Sequence, residues 1–393
     1  MASENSSSKV LPSRNIEPVI NKSYPTNSMV YVDHSVEEII PCKIYPESSD
    51  LSSGSSLEFV VHEASEQYLD LGSLKLEAKL RLLDAANSRT AVVPNANVYF
   101  TNYLLSALFP VYKAFINNTN VESQYHSHHT ANIHQQMEIN NVMATNRGLP
   151  IGLFPTTSTS VGNPITQAIC EAHAKRKTYS KQEVITLKGF INCDIASCNK
   201  WLIDGCSLRL VLDPAKATQI INSENTNEAW SYEILGVRLL VNRIRPTRSA
   251  FLNTSKYLQN HSLEYIFKQH LVHSEILASG QTSLTIHRPF NSKIPSKLHI
   301  FFVDQDAEQG SYTKDRFFYN TNNLSSYRVA INGRVIAEAE FDPNSKYISS
   351  YVDSIIANDC TDTYIPSDLY DKGSFILSIK TNTSQPDELM YDL

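Results

Sequence analysis

The feature that most constrains the fold is a strictly alternating run, Leu74 to Leu82, near the start of the stretch from Glu66 to Ser123. Apolar residues occupy every second position of this run, and charged residues lie between them: Lys75, Glu77, Lys79 and Arg81. A period of two places the apolar side chains on one face of an extended chain, whereas a helix needs a period of about 3.6. The run therefore predicts a half-buried β-strand.

Two polar turns with similar surroundings lie far apart in the chain. The first turn, Asn117 to Asn120, ends the apolar segment Val111 to Ile116. The second, Asn332-Gly333, lies within the segment Tyr327 to Ala339. Asn-Gly between apolar runs is a strong signal for a type I′ hairpin, because both central residues of that turn need a positive φ. Each segment starts with an aromatic and a basic residue and reaches Ile-Asn before its turn. This layout predicts two related modules with hairpins at comparable positions.

Composition along the chain predicts two sandwiches joined by a linker. Residues 1–28 are rich in Ser, Asn and Pro and are predicted to form a flexible arm, which either stays disordered or becomes ordered when neighbouring copies assemble. The first sandwich is assigned to residues 29–214, the polar stretch 215–229 to a linker, and the second sandwich to residues 230–393. Many short strands between long polar loops are typical of all-β sandwiches, and 393 residues suffice for two.

The second half is predicted to contain one clear helix and several strands. The best helix candidate is Phe251 to Gln269, with Asn253 or Thr254 able to cap it. Strands are predicted at Leu271 to Leu277, at Thr282 to Ile286 and at Leu298 to Val303.

A histidine cluster follows the first hairpin. Its members are His126, His128, His129 and His134. Imidazoles at alternate positions of a strand face the same way, so one interpretation is a metal site. The other is a polar surface loop. No carboxylate or Cys accompanies the histidines at ligand spacing, so we predict that no metal binds and leave the role of the cluster open.

Three other segments contain residues of the types found in calcium sites, zinc sites or nuclear-import signals. The acidic loop Asp304 to Gly310 begins like a calcium-binding loop but lacks a bidentate Glu between helices. Cys193, Cys198 and Cys206 do not form a CxxC pair, which makes zinc an unfavoured interpretation and free thiols the favoured one. Lys175 to Lys177 is too short a basic run to distinguish a nuclear-import signal from ordinary surface.

The chemistry of an enzyme is missing from the sequence. There is no GxSxG, no phosphate-binding glycine loop, no HExxH and no CxxC, and only 12 glycines occur. We therefore predict no catalytic, cofactor-binding or metal-ligating residues and no cofactor. The net charge of -6 argues against sequence-specific binding of nucleic acid. No run of about eighteen apolar residues occurs, so no membrane span is predicted.

A succession of strand-like segments resembles one known protein family. In chain order these are YLDLGSLKLEAKLRLLD, NYLLSALFPVYKAFINN, TLKGFINCDIASCNKWLIDGCSLRLVLD, SYEILGVRLLVNRIRP, SKLHIFFVDQDAEQGSYTKD and YRVAINGRVIAEAEFDP. Together they resemble the major capsid (hexon-like) proteins of adintoviruses and of the related Maverick/Polinton elements. The resemblance covers roughly residues 30 to 380, and its specificity lies in the order of the segments.

The resemblance implies a double jelly-roll: two antiparallel jelly-roll sandwiches in one chain, with short helices in the loops. It also implies homotrimers that form pseudo-hexameric capsomers, and an icosahedral shell of such trimers around a double-stranded DNA genome. The expected partners are neighbouring trimers, penton proteins and minor capsid proteins. The expected location is the virion, after synthesis in the host cytoplasm, with nuclear assembly left open.

Two alternatives remain at this point. One is a penton-like or fibre-like jelly-roll component that binds a glycan or a receptor, which would expose a platform of aromatic side chains. The other is a metal-dependent enzyme built on the four histidines.

Overall fold

The computed structural model describes residues 35–48, 50–51, 54–84, 97–138, 148–154, 171–198, 200–223, 229–291, 293–342, 347–358, 365–381 and 388–392. The first ten strands are β1 (Val36–Ile44), β2 (Leu57–Val61), β3 (Tyr68–Leu83), β4 (Val98–Phe100), β5 (Val111–Ile116), β6 (Thr119–Gln124), β7 (Ile185–Phe190), β8 (Leu208–Asp213), β9 (Ile221–Ser223) and β10 (Ser231–Pro246). The others are β11 (Glu264–Lys268), β12 (Lys297–Ile300), β13 (Ser326–Ile331), β14 (Arg334–Glu340), β15 (Leu377–Lys380) and β16 (Glu388–Asp392).

The helices are short and lie between strands. They are α1 (Leu104–Leu108), α2 (Ser127–Glu138), α3 (Glu171–Ser180), α4 (Ala217–Ile220), α5 (Arg248–Leu258), α6 (Gln305–Gln309) and α7 (Ile348–Ala357), with 3-10 turns at Leu149–Ile151 and Asp194–Ser197. The flexible arm predicted for residues 1–28 lies outside the described residues.

The first half forms a sandwich of two four-stranded antiparallel sheets. One sheet has the order β1-β10-β3-β7 and the other the order β2-β8-β5-β6. The chain crosses between the sheets from β1 to β2, from β2 to β3 and from β7 to β8, whereas β5 and β6 are neighbours in one sheet. The two longest strands, β3 and β10, pair at the centre of the first sheet, with Leu239 opposite Leu76 and Val237 opposite Ala78.

The alternation that predicts β3 is confirmed. Leu74, Leu76 and Leu80 are buried in the large core between the sheets. Of the charged residues between them, Glu77 is an exception, because it is buried too. Its Oε1 lies 2.6 Å from Nη2 of Arg238 on the neighbouring strand, so the buried negative charge is paired with a positive one.

The predicted start of the second sandwich at residue 230 does not fit the strand pairing. Strand β10 lies between β1 and β3, so residues 231–246 belong to the first sandwich. The polar stretch predicted as a linker, 215–229, contains α4 and β9, and β9 pairs with β4. Polar composition marks a connection between strands but does not tell whether that connection stays within one domain. We place the boundary after Pro246.

Both predicted hairpins are confirmed, and so is the positive φ at both central residues that the type I′ prediction for Asn332-Gly333 requires. The turn between β5 and β6 has positive φ at Asn117 and Asn118, 47° and 65°. The turn between β13 and β14 has positive φ at Asn332 and Gly333, 50° and 78°. Two consecutive positive φ values match the right-handed twist of a two-residue hairpin.

The strands that flank the two hairpins show one similarity. In the first half, β3, which precedes β4 and the hairpin, pairs with β7, the next strand after the hairpin. In the second half, β12 pairs in the same antiparallel way with β15, on either side of the β13–β14 hairpin. Helices separate the hairpin from the closing strand in both halves, α2 and α3 in the first and α7 in the second. The sheets that contain the hairpins differ, because β5 and β6 lie in the four-stranded sheet β2-β8-β5-β6, whereas β13 and β14 pair only with each other among the described residues. Comparable placement of the two hairpins in two related modules therefore stays a prediction.

Other predictions for the second half need correction. The helix predicted at 251–269 is the shorter α5, Arg248–Leu258, and β11 takes up part of the predicted range. The reason is that Tyr265 and Phe267 alternate into the core, which favours a strand over a longer helix. No strand is formed at 271–277 or at 282–286 within the described chain, although β12 is close to its predicted place.

We predict that Leu80→Ala lowers the free energy of unfolding by about 2–5 kcal/mol, because Leu80 is fully buried in the central strand and its removal leaves a cavity. Urea unfolding followed by fluorescence measures the loss. Arg81→Ala is the neighbouring control. Its pair with Glu233 is partly exposed, so its loss costs about 1 kcal/mol or less. Equal losses in the two variants would contradict the assignment of the core face.

Candidate functional surfaces and a buried histidine cluster

An exposed apolar segment follows β11 in the chain. We call residues 269–288 the extended loop; it has no helix or strand and turns at Gly280, where φ is 81°. Six large apolar side chains of the loop are exposed: Leu271, Val272, Ile276, Leu277, Leu284 and Ile286. The most exposed is Ile276, at 69%. Contiguous exposed apolar surface of this kind marks a site for contact with another molecule.

The base of the extended loop is fixed to the first sandwich by a buried carboxylate. The Asp194 side chain accepts hydrogen bonds at Oδ2 from the backbone N–H of His270, 2.7 Å, and from Nε2 of Gln124, 2.6 Å. Its Oδ1 lies 2.6 Å from Nδ1 of His270. Asp194 is buried, so these bonds hold the first residues of the loop while the rest of the loop stays exposed.

Glu122 lies directly behind this anchor. Its Oε1 accepts from the hydroxyl of Tyr112 and from the backbone N–H of Asp194, both at 2.7 Å. Its Oε2 accepts from the backbone N–H of Ile195 at 3.0 Å. Burial, together with the nearby charge of Asp194, raises the pKa of Glu122 to about 7 in spite of these bonds. The folded protein therefore keeps the proton of Glu122 up to a higher pH than the unfolded chain does.

This shift predicts how stability depends on pH. Below the ordinary pKa of 4.5 the Glu122 carboxyl is protonated in both states, and above about 7 it is ionised in both. Between these values only the folded protein keeps the proton, so the free energy of unfolding falls by on the order of 3 kcal/mol as pH rises. In Glu122→Gln, urea unfolding at several pH values should lack this fall.

The exposed carboxylate of Glu233 provides the control, since Glu233→Gln should leave the pH dependence unchanged. A Glu122→Gln protein that loses as much stability across this pH range as the unmodified protein would disprove the assignment.

A second apolar surface lies on α7. Ile348, Val352 and Ile356 follow one another at intervals of four and are exposed, Ile356 at 66%. The inner side of the helix carries small residues instead. Ser354 donates from its hydroxyl to the carbonyl of Ile376, 2.9 Å. Because residues four apart share one face of a helix, the outward face of α7 is an apolar stripe.

The histidine cluster lies at the start of a helix, not on a strand as the metal interpretation assumed. His126 has a φ of 63° and directly precedes α2, which contains His128 and His129. The latter two are buried, and His126 is partly exposed. His134, one helical turn further along, is exposed and does not belong to the group of potential ligands.

A carboxylate from the second half completes the cluster. Glu308, on α6, points at the three imidazoles. Its Oε1 lies 2.8 Å from Nδ1 of His126 and 3.5 Å from Nε2 of His128. Its Oε2 lies 2.9 Å from Nε2 of His129. The sequence has no carboxylate at ligand spacing from the histidines, and only the fold brings Glu308 to them from 182 positions beyond His126.

Burial and hydrogen bonding control the charges in the cluster. Burial lowers the pKa of His128 and of His129, so both imidazoles are neutral near pH 7. Burial also opposes ionisation of Glu308, but hydrogen bonds with His126 and His129 outweigh it and hold the pKa of Glu308 well below its ordinary value. Nη2 of the buried Arg316 lies 3.2 Å from Oε1 of Glu308 and supplies the balancing positive charge.

The remaining predicted sites are ordinary surface or core. In the acidic loop, Asp304 and Asp306 lie 3.6 and 2.9 Å from Nζ of Lys314, which pairs their charges. Cys193, Cys198 and Cys206 have free thiols. Arg176, in the middle of the basic run, is buried and lies 3.5 Å from Asp315.

Comparisons with known proteins identify the fold. No protein-family profile matches the sequence, and neither does any curated protein. A chain of the Sputnik virophage is 13% identical with a TM-score of 0.55, over 100% of this chain and 84% of that one. A chain of the PBCV-1 virus capsid is 12% identical with a TM-score of 0.50, over 93% and 83%. The chain has a double jelly-roll fold.

The predicted fold class is thus confirmed. The double jelly-roll accounts for the two four-stranded sheets of the first half. The narrower resemblance to adintoviruses and to Maverick/Polinton elements stays a prediction. Among the described residues, no helix is long and apolar enough to cross a membrane.

Proposed function

We propose that this protein is a structural major capsid protein that associates with copies of itself to form the shell of a virion. The extended loop carries the proposal, because a double jelly-roll chain of this kind exposes apolar surface that only a neighbouring molecule can bury. The similar chain of PBCV-1 comes from a virus capsid.

The extended loop is argued to contact a second copy of this chain. Its residues 270–288 are all exposed, and its backbone forms no ladder with another described strand. An extended chain without a partner leaves backbone N–H and C=O groups available for pairing, as an edge strand does. Association with a second copy would bury the leucines and isoleucines of the loop. It would also supply hydrogen-bond partners for the backbone of the loop. A self-assembling shell supplies such a partner in every neighbouring copy.

The stripe on α7 is a second, separate surface. It is carried by the helix between β14 and β15, whereas the extended loop lies between β11 and β12. A closed ring of identical subunits uses one heterologous contact, and tiling of rings needs another. Two apolar surfaces on one chain therefore fit homotrimers that form pseudo-hexameric capsomers, with further contacts between capsomers in an icosahedral shell.

The wider roles follow from this assembly. The shell would enclose a double-stranded DNA genome, with penton and minor capsid proteins as additional partners and synthesis in the host cytoplasm. The net charge of -6 supports a shell without sequence-specific contacts to DNA. The function is structural and not enzymatic. A glycan-binding or receptor-binding role, in a penton-like or fibre-like component, is less well supported, since the extended loop exposes aliphatic rather than aromatic side chains.

We predict that the purified protein has about three times the chain mass of 44.2 kDa in light scattering and a hexagonal outline in negative stain. Ile276→Asp should shift the mass towards that of one chain, because it places a charge in the contact. Leu149→Asp, a control at a similarly exposed position in the first half, should keep the assembled mass.

The proposal fails if the unmodified protein stays a monomer at high concentration. If the unmodified protein is a trimer and both variants keep its mass, the extended loop is not the contact between copies, although the proposal of a capsid protein still holds.

A further inference from the structure

We propose that His126, His128 and Glu308 form a binding site for one zinc ion. The site is independent of the capsid role and goes beyond it. Nδ1 of His126, Nε2 of His128 and a carboxylate oxygen of Glu308 lie within 4.8 Å of one another. Two nitrogens and one carboxylate oxygen are a ligand set that zinc accepts, whereas magnesium and calcium prefer oxygen ligands throughout.

The geometry is close to that of a tetrahedral site. Zinc binds imidazole nitrogen and carboxylate oxygen at about 2.0–2.2 Å, which places neighbouring ligand atoms about 3.3 Å apart. Oε1 of Glu308 lies 2.8 Å from Nδ1 of His126 and 3.5 Å from Nε2 of His128. These two separations lie on either side of the tetrahedral value, and the two nitrogens lie within 4.8 Å of each other. Rotation of the side chains would bring the three atoms around one ion.

His128 supplies the observation that points to a ligand. Its side chain is 0% exposed, and neither ring nitrogen makes a hydrogen bond. A buried imidazole whose two nitrogens lack partners costs free energy, because both groups lose their bonds to water. Nε2 nevertheless faces the carboxylate of Glu308. A zinc ion between them would satisfy this nitrogen.

The surrounding residues are arranged as supports for a metal ligand. His129 is hydrogen-bonded through Nε2 to the second oxygen of Glu308 and through Nδ1 to the hydroxyl of Tyr319, at 3.1 Å. Such outer contacts orient a ligating carboxylate. The guanidinium of Arg316 opposes a cation here and makes the site weaker than one without a buried positive charge.

The zinc would join the two halves of the molecule. His126 and His128 lie at the start of α2 in the first sandwich, and Glu308 lies 182 positions after His126, beyond the boundary at Pro246. A structural zinc contributes directly to folding free energy. The zinc ion would therefore stabilise the contact between the two sandwiches.

The test uses the full chain, freed of metal with a chelator and then titrated with Zn²⁺ alone in a calorimeter. We expect one zinc ion per chain and a rise in the unfolding temperature that a chelator reverses. His126→Ala should weaken binding at least tenfold, and since His126 is partly exposed the variant is expected to fold. Glu308→Gln should act in the same direction.

His134→Ala is the matched control, because His134 is an exposed histidine on the same helix and should not affect binding. Circular dichroism of each metal-free variant checks that it is folded. Co²⁺ in place of Zn²⁺ should give the visible absorption of a tetrahedral site, which His126→Ala abolishes and His134→Ala retains. The proposal is overturned if the unmodified protein binds no zinc, or if His126→Ala and His134→Ala bind it equally well.

Discussion

The pairing of β3 with β10 is the constraint on which the rest of the structure depends. These strands of 16 residues each form the centre of one sheet, with β1 and β7 on either side. Their inward leucines close the core against the second sheet. Because β10 begins at residue 231, the first sandwich is complete only after the chain has made the hairpin, α2 and α3. After β10 the chain continues into α5 and the second half.

Two carboxylates, the buried Asp194 and the partly buried Glu308, connect the second half with the first. Asp194, after β7, binds the backbone and ring of His270 at the base of the extended loop. Glu308, from α6, is bound by histidines at the start of α2. Several hydrogen-bond donors surround each carboxylate and offset the cost of removing it from water. Other polar contacts also join the halves, such as that of Asn132 with Tyr319 and that of Tyr312 with Trp230. Many of the exposed apolar side chains lie on the extended loop and on α7.

Local patterns in the sequence predicted what local physics controls. The period of two in Leu74 to Leu82 was sufficient for β3, since alternation determines which face of a strand is buried. Asn-Gly was sufficient for the second turn, since only a few residues tolerate a positive φ. The apolar residues of 271–277 misled, because they are exposed and form no strand: apolar content favours burial but does not tell whether this chain supplies a partner to cover it.

The sequence by itself thus determined the all-β class, the two hairpins and, through the order of its segments, the double jelly-roll. Only the tertiary structure decided that residues 231–246 belong to the first sandwich and that Glu308 joins the histidines. Both depend on contacts between residues distant in the chain. Neither composition nor spacing carries a signal for these contacts. The residues of a strand, or a carboxylate, show that a partner is needed but not which distant residue it is, and folding decides that.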